Sequence, residues 1–339
     1  MLSETSSAPN HQLWCPIDVQ RAPKEERRQA HQASIIWAEA VGLATPGPEL
    51  SWYSQWNAAE FAARVFTRCT GEDFALATQW FGWMNVLDDR LETTSLEGLP
   101  SQLAPLDMIF ESDGAHSNGA HLSATPLSKA LADLWARTQP RMSSAWRARM
   151  AYLWQQCSQG FLWEARNRLT GHPPRLADYM TRRVAAGGAE FCLALTEGLY
   201  KEELDDETYY SGPLANLRTS ACEHICWAND LLTLEREEAR GDLHNLVLVI
   251  QAAHGLSRAE AVSTVARMTN HRMHAVITTS GMVPAYLDVV GLDPPVRHRF
   301  ARAVDMTEQW LAGSLEFHQL STRHIDHRNT TFNPFNTPT

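Results

Sequence analysis

The 339-residue chain has no CxxC pair, no internal repeat, no sustained alternation of β-branched residues and no long apolar run. Each absence excludes something. The six cysteines, at 15, 69, 157, 192, 222 and 226, are too scattered for a zinc site. Cys222 and Cys226 stand a helical turn apart, but two further clustered ligands are lacking, so buried free thiols are expected. A spanning helix would need roughly 18 or more consecutive apolar residues, and none is present. The amino-terminal MLSETSSAPNHQ has neither a basic start nor an apolar stretch. It does not read as a signal peptide, and the expected location is cytoplasmic. Positive charge is also short: the net charge is −10, which argues against a nucleic-acid partner, because phosphate backbones demand a basic face. An acidic chain that handles an anion must gather positive charge locally, from a few arginines or from metal ions.

What is present is core. Hydrophobic residues make up 44% and charged residues 20%, a composition that buries a core and is not that of a disordered chain. From Gln29 onward, apolar residues recur at spacings of three and four, the mark of helices. Breaks are expected at TPGPE after Ala44, across Ser95 to Pro126, at GHPP (171–174), SGP (211–213), GLS (255–257) and GLDPP (291–295). Within the second of these, DGAHSNGAHLSAT reads as a mobile loop. Residues 1–25 are polar and proline-bearing and read as a flexible arm, with a tail over 326–339. Between them the helical series runs without a linker, so a single all-α domain is expected over 26–325.

Two polar constellations stand out. Past the apolar QWFGWMNVL come Asp88, Asp89, Arg90, Leu91 and Glu92. On a helix Asp88 and Glu92 share a face, with Asp89 beside them. Carboxylates gathered this way repel one another unless cations share them, and hard oxygen ligands suit Mg²⁺. A solvated acidic helix end would look the same, so this cluster alone decides nothing. The second constellation, in Ala228-Asn-Asp-Leu-Leu-Thr-Leu-Glu-Arg-Glu237, is more specific. Asn229, Thr233 and Glu237 are spaced four and four, a stripe of amide, hydroxyl and carboxylate oxygens able to chelate one divalent ion. Arg236 beside it could contact the same anion.

Together the two segments resemble the DDxx(D/E) and NDxx(S/T)xxxE motifs of bacterial class I terpene synthases, and the likeness extends from WAEAVGL near residue 37 to the C-terminal segment. The resemblance implies a class I terpenoid synthase-like helical bundle around a deep central pocket, with the motifs facing each other across its mouth. Three Mg²⁺ ions would bind there with an isoprenoid diphosphate. It implies that Arg183 contacts the diphosphate, and that Ala186 and Gly187 stand as linker and effector at a helix break, which the adjacent Gly187-Gly188 pair also suggests. Arg182 reads as a solvated charge. Arg323 aligns with an arginine that binds diphosphate, and His324 stands where the family has tyrosine. Carbocation chemistry gives aromatic faces a use, and Phe61, Phe81, Trp83 and Trp310 are candidates from their placement beside the motifs. Asn85, a turn before Asp88, is a candidate pocket polar group.

The function implied is Mg²⁺-dependent ionisation and cyclisation of an isoprenoid diphosphate, with farnesyl as the default and geranylgeranyl, giving a diterpene, as the alternative. The loop over 111–125 and the C-terminal segment would close over the substrate. Dimers being common among similar proteins, a homodimer also comes into view. A prenyl-elongating transferase would carry a second aspartate-rich motif in place of the Asn-Thr-Glu stripe. A metal-dependent phosphohydrolase would need His–Asp ligand pairs, which are lacking. The non-enzyme alternative is a helical module that kept the scaffold without activity.

Overall fold

The computed structural model describes residues 13–111 and 125–320. Among them every regular element is helical. The series begins with α1 (Lys24–Ala40), α2 (Pro48–Trp56), α3 (Ala58–Val65), α4 (Gly71–Thr93), α5 (Leu99–Glu111) and α6 (Pro126–Thr138). It continues with α7 (Ser144–Arg168), α8 (Leu176–Ala186), α9 (Ala189–Tyr200), the short α10 (Asp206–Tyr209) and α11 (Gly212–Arg240). α12 (Leu246–His254), α13 (Arg258–Val290) and α14 (Pro294–Leu320) complete it. This is the all-α class expected. Among the described residues no helix is long and apolar enough to cross a membrane.

Local chemistry sets the ends. The Thr125, Ser143 and Asn245 side chains accept backbone N–H bonds at the starts of α6, α7 and α12, and a Ser257–Glu260 capping box opens α13. Expected breaks fall between helices, with one correction. The stretch from Ser95 to Pro126, read as a break, contains α5, whose Leu99, Leu103, Leu106 and Phe110 are buried. Their spacing of four, three and four is a helical stripe that Pro105 does not interrupt. The first helix also starts at Lys24, earlier than Gln29.

Packing follows from the stripes. α11 lies against α13 and α14, α3 between α4 and α14, α1 on α4, and α7 against α5 and α8. Indoles form the centre. Trp83 lies 5.9 Å from both Trp80 and Trp154, ring to ring. Their N–H groups are used: Trp80 donates to Thr138, Trp83 to the Leu127 carbonyl and Trp154 to Asp107. Large aromatic burial with a satisfied polar tip is what makes such a core both stable and specific. Ahead of α1, Leu13 is buried, the Trp14 N–H donates to Asn270 Oδ1 at 2.8 Å and Arg21 pairs with Glu316. The loop over 112–124, the first twelve residues and everything from 321 lie outside the described residues.

Candidate active site

A cavity of about 300 Å³ opens among α3, α4, α7, α8, α9, α11 and α14. α4 brings Asp88 and Glu92 to its wall, and α11 brings Asn229, Arg236 and Glu237. The two motifs, about 140 residues apart, therefore look onto one space. Asp89, turned by about 100° from Asp88 on the helix, faces elsewhere: it is buried and accepts from Trp52 Nε1 at 3.0 Å. Thr233 is also buried and is not among the wall residues. Its hydroxyl donates to the Asn229 carbonyl at 2.7 Å, which ties the stripe together. Glu92 is held by Arg240 of α11, Nη1 lying 2.9 Å from each carboxylate oxygen.

The electrostatic centre is a residue the sequence did not single out. Asp230, fully buried, accepts from Arg183 Nε (3.0 Å) and Nη2 (2.8 Å), from the Tyr179 hydroxyl (2.7 Å) and from the Leu246 backbone N–H (3.2 Å). Arg183 also reaches Asn229 Oδ1 at 3.2 Å. Burial alone would lower the Arg183 pKa, but Asp230 overrides it and holds the guanidinium charged, well above its ordinary range. Asn245 closes the network, its amide donating to the Asp230 carbonyl (2.6 Å) and to Glu237 Oε2 (2.8 Å). Arg182, exposed, points its charge toward the Trp163 ring 5.9 Å away.

Other titratable groups line the same cavity without a motif to announce them: Glu164, Arg168, Asp242 and His244. Burial pushes Glu164 up to about 7, with Arg183 opposing and Asp242 adding to the shift. Glu237 rises to about 7 through burial and the neighbouring Asp230. His244 falls to about 4 through burial. Among the described residues no three His, Cys, Asp or Glu side chains cluster closely enough to make a metal site by themselves. The donor set fits a divalent ion only when amide and hydroxyl oxygens are counted with the acids, and when a ligand anion fills the remaining positions.

Much of the rest of the wall is aromatic. Phe61 stacks on Phe81 with centroids 3.6 Å apart and meets Trp310 edge-on at 5.6 Å. Trp83 and Asn85 also line the cavity, as do Ser314 and His318, which sequence reasoning missed. Their signal was present: Trp310, Ser314 and His318 are spaced four and four. α8 stops at Ala186, Gly187 caps it, and Gly188 takes φ +64° before α9 begins. A Cβ on Gly187 would stand 2.6 Å from Arg183 Nη1 and 3.0 Å from Cys226 Sγ, so only glycine leaves the guanidinium its place. Arg323 and His324 lie outside the described residues.

Comparison with known proteins agrees with this arrangement. Residues 79–275 match the model of terpene synthase family 2, C-terminal metal binding. Pristinol synthase from Streptomyces pristinaespiralis is 26% identical over 312 residues, covering 91% of this chain and 83% of the relative. The (+)-T-muurolol synthase ((2E,6E)-farnesyl diphosphate cyclizing) of Roseiflexus castenholzii is 28% identical, covering 86% and 87%. Germacradien-4-ol synthase from Streptomyces citricolor superposes with a TM-score of 0.79 at 24% identity, over 91% of this chain and 98% of that one, a likeness of fold. With its metal-binding segment matched along more than half its length, the chain belongs to the terpene synthases, as a class I enzyme of the bacterial type.

Proposed function

We propose that the chain ionises farnesyl diphosphate in the presence of Mg²⁺ and folds the cation into a sesquiterpene, releasing pyrophosphate. One observation carries this reading: Asp88 and Glu92 on one helix, and Asn229 and Glu237 on another, line a single cavity that also holds Arg183 and an aromatic wall. We assign Asp88, Glu92, Asn229, Thr233 and Glu237 to holding the divalent ions, three by resemblance, and Asp89 to bracing α4 against Trp52. Mg²⁺, when bound, would neutralise diphosphate charge and so weaken the allylic carbon–oxygen bond.

The chain's own residues do the remainder. Arg183 and Arg236 bind diphosphate oxygens by charge-assisted hydrogen bonds, a role the resemblance also gives to Arg323, with His324 able to donate to a phosphate oxygen where the family has tyrosine. Phe61, Phe81, Trp83 and Trp310 offer π-faces to the cation, and their packing keeps bulk water out. Gly187 stands at the helix break close to Arg183, where a carbonyl dipole would steer charge as it develops. Farnesyl rather than a longer chain suits a cavity at the small end of ligand pockets, which span roughly 300–1,000 Å³, and the Roseiflexus relative bears that substrate in its name.

The test is gas chromatography–mass spectrometry of products from geranyl, farnesyl and geranylgeranyl diphosphates, with and without Mg²⁺. A fifteen-carbon volatile product formed from farnesyl diphosphate alone, only with Mg²⁺, is expected. Product that requires added isopentenyl diphosphate would point instead to chain elongation. No metal-dependent pyrophosphate release from any of the three would overturn the reading.

A further inference from the structure

The cavity has a third charged wall, on α7. Trp154, Cys157, Phe161, Glu164 and Arg168 all line it, and their spacing of three, four, three and four makes them one continuous helix face. The stripe is apolar in its first three members and charged in its last two. α4 runs the same way, from Phe81 and Met84 to Asp88 and Glu92. The charges of Asp88 and Arg183 both act on Glu164, so the charged end of α7 stands with the two motifs. Arg168 is the last residue of α7 and is half-buried. Among the described residues it makes no hydrogen bond or ion pair. Even Glu164, one turn before it, is not its partner, although an acid four residues ahead of a base is the favoured helical pair. Arg183, by contrast, is committed to Asp230 at 2.8 Å. The next-door Asn167 bonds the His244 ring at 3.0 Å, which pins this end of α7 to the turn that brings Asp242 and His244 to the cavity. A guanidinium on a cavity wall with its N–H donors unclaimed by protein is open to an anion.

We propose that Arg168 is a further diphosphate-binding residue, donating hydrogen bonds to phosphate oxygens from the α7 wall as Arg183 does from α8 and Arg236 from α11. The proposal rests on the cyclase reading above. When the allylic carbon–oxygen bond breaks, its electron pair leaves with the diphosphate oxygen, and the leaving group gains one negative charge. A guanidinium already in place then binds it more strongly than it bound the ester. Such a contact raises turnover as well as affinity, because it strengthens toward the transition state. No protein ion pair has to open before Arg168 engages, and no proton moves.

The experiment titrates the full chain with inorganic pyrophosphate in the presence of Mg²⁺ by calorimetry, and follows pyrophosphate release from farnesyl diphosphate for turnover. Arg168→Gln is expected to weaken pyrophosphate binding about tenfold or more, the loss of one charge-assisted hydrogen bond, and to lower kcat/KM at least as far. Arg168→Lys keeps the charge but not the planar fork, and should recover part of both. Arg182→Gln, which removes an exposed charge on α8, should change neither. Circular dichroism melting should leave Tm nearly unchanged in both Arg168 variants, since the side chain holds no partner among the described residues. Pyrophosphate affinity and kcat/KM unchanged in Arg168→Gln, or lowered equally by Arg182→Gln, would mark a solvated helix end and overturn the proposal while leaving the cyclase reading intact. A large fall in Tm would overturn it too, by showing that Arg168 holds the fold. Absence of Mg²⁺-dependent pyrophosphate release in wild type overturns both.

Discussion

Replacing Asp230 by asparagine would test whether Arg183 is held in place by its neighbours or merely shares a cavity with them. Asp230 receives four donors on two oxygens, from Arg183 twice, Tyr179 and Leu246. An amide of the same size keeps one acceptor oxygen and turns the other into a donor, which must then face a donor on whichever side it lands. Arg183 would keep Asn229 Oδ1 at 3.2 Å as its remaining protein partner in this network. Removing one member of a buried ion pair costs about 3–5 kcal/mol. The Arg183 side chain is 12% exposed toward the cavity, so water recovers some of this and about 3 kcal/mol is the expected loss. For a chain of this size that is roughly a 4 °C fall in Tm. Catalysis should suffer more, because a guanidinium displaced by about 1 Å can lower turnover about 100-fold. A double-mutant cycle with Arg183→Gln isolates the pair. The coupling should exceed about 1.5 kcal/mol in chemical denaturation, whereas additivity within about 0.5 kcal/mol would refute the network.

Gly187→Ala should act on chemistry more than on folding. Its Cβ meets the Arg183 guanidinium that Asp230 and Asn229 hold, so turnover is expected to drop about tenfold or more with a Tm loss no greater than that of Asp230→Asn; a larger Tm loss with normal turnover would contradict this. Arg240→Gln removes the cation that holds both oxygens of Glu92. A partly exposed pair of this kind is worth up to about 1 kcal/mol, so the half-saturating Mg²⁺ concentration for pyrophosphate release should fall by up to about fivefold. His224 concerns acid stability. It is fully buried with neither ring nitrogen bonded among the described residues, and burial holds its pKa down at about 4 against an ordinary 6.5. The unfolded chain therefore takes up the proton first, and stability present above pH 6.5 drains away as pH falls toward 4, by about 3 kcal/mol in full. His224→Leu should flatten Tm against pH across that window.

How far the sequence reached depended on how local each signal is. Helices declare themselves through nearest turns, so most elements could be read, and the end of α8 was visible in the Gly187-Gly188 pair. α5 was hidden because Pro105 and the surrounding Leu-Pro-Ser-Gln look like loop chemistry. Its stripe of Leu99, Leu103, Leu106 and Phe110 becomes decisive only when α7 stands behind it. The contacts of Leu13, Trp14 and Arg21 with the body of the protein were equally invisible, since their partners Asn270 and Glu316 lie hundreds of residues away.

The same logic separates what was legible in the site from what was not. A ligand stripe such as Asn229, Thr233 and Glu237 is written on one helix and needs only the helical repeat to be seen. Asp230 sits inside that stripe in sequence but points off it in space. Its partners come from α8 and from the turn entering α12, so although the motif carries an aspartate at this position, nothing in the spacing showed what it holds. Its place follows from electrostatics: a guanidinium buried beside a cavity is costly unless a carboxylate stands behind it, and Asp230 supplies that carboxylate to Arg183. Glu237 and Glu164, with pKa values near 7, have no such arginine of their own to ionise them fully. One set of side chains is thus paired in advance, while the other is left buried and short of positive charge, the condition in which carboxylates gain most from a shared cation.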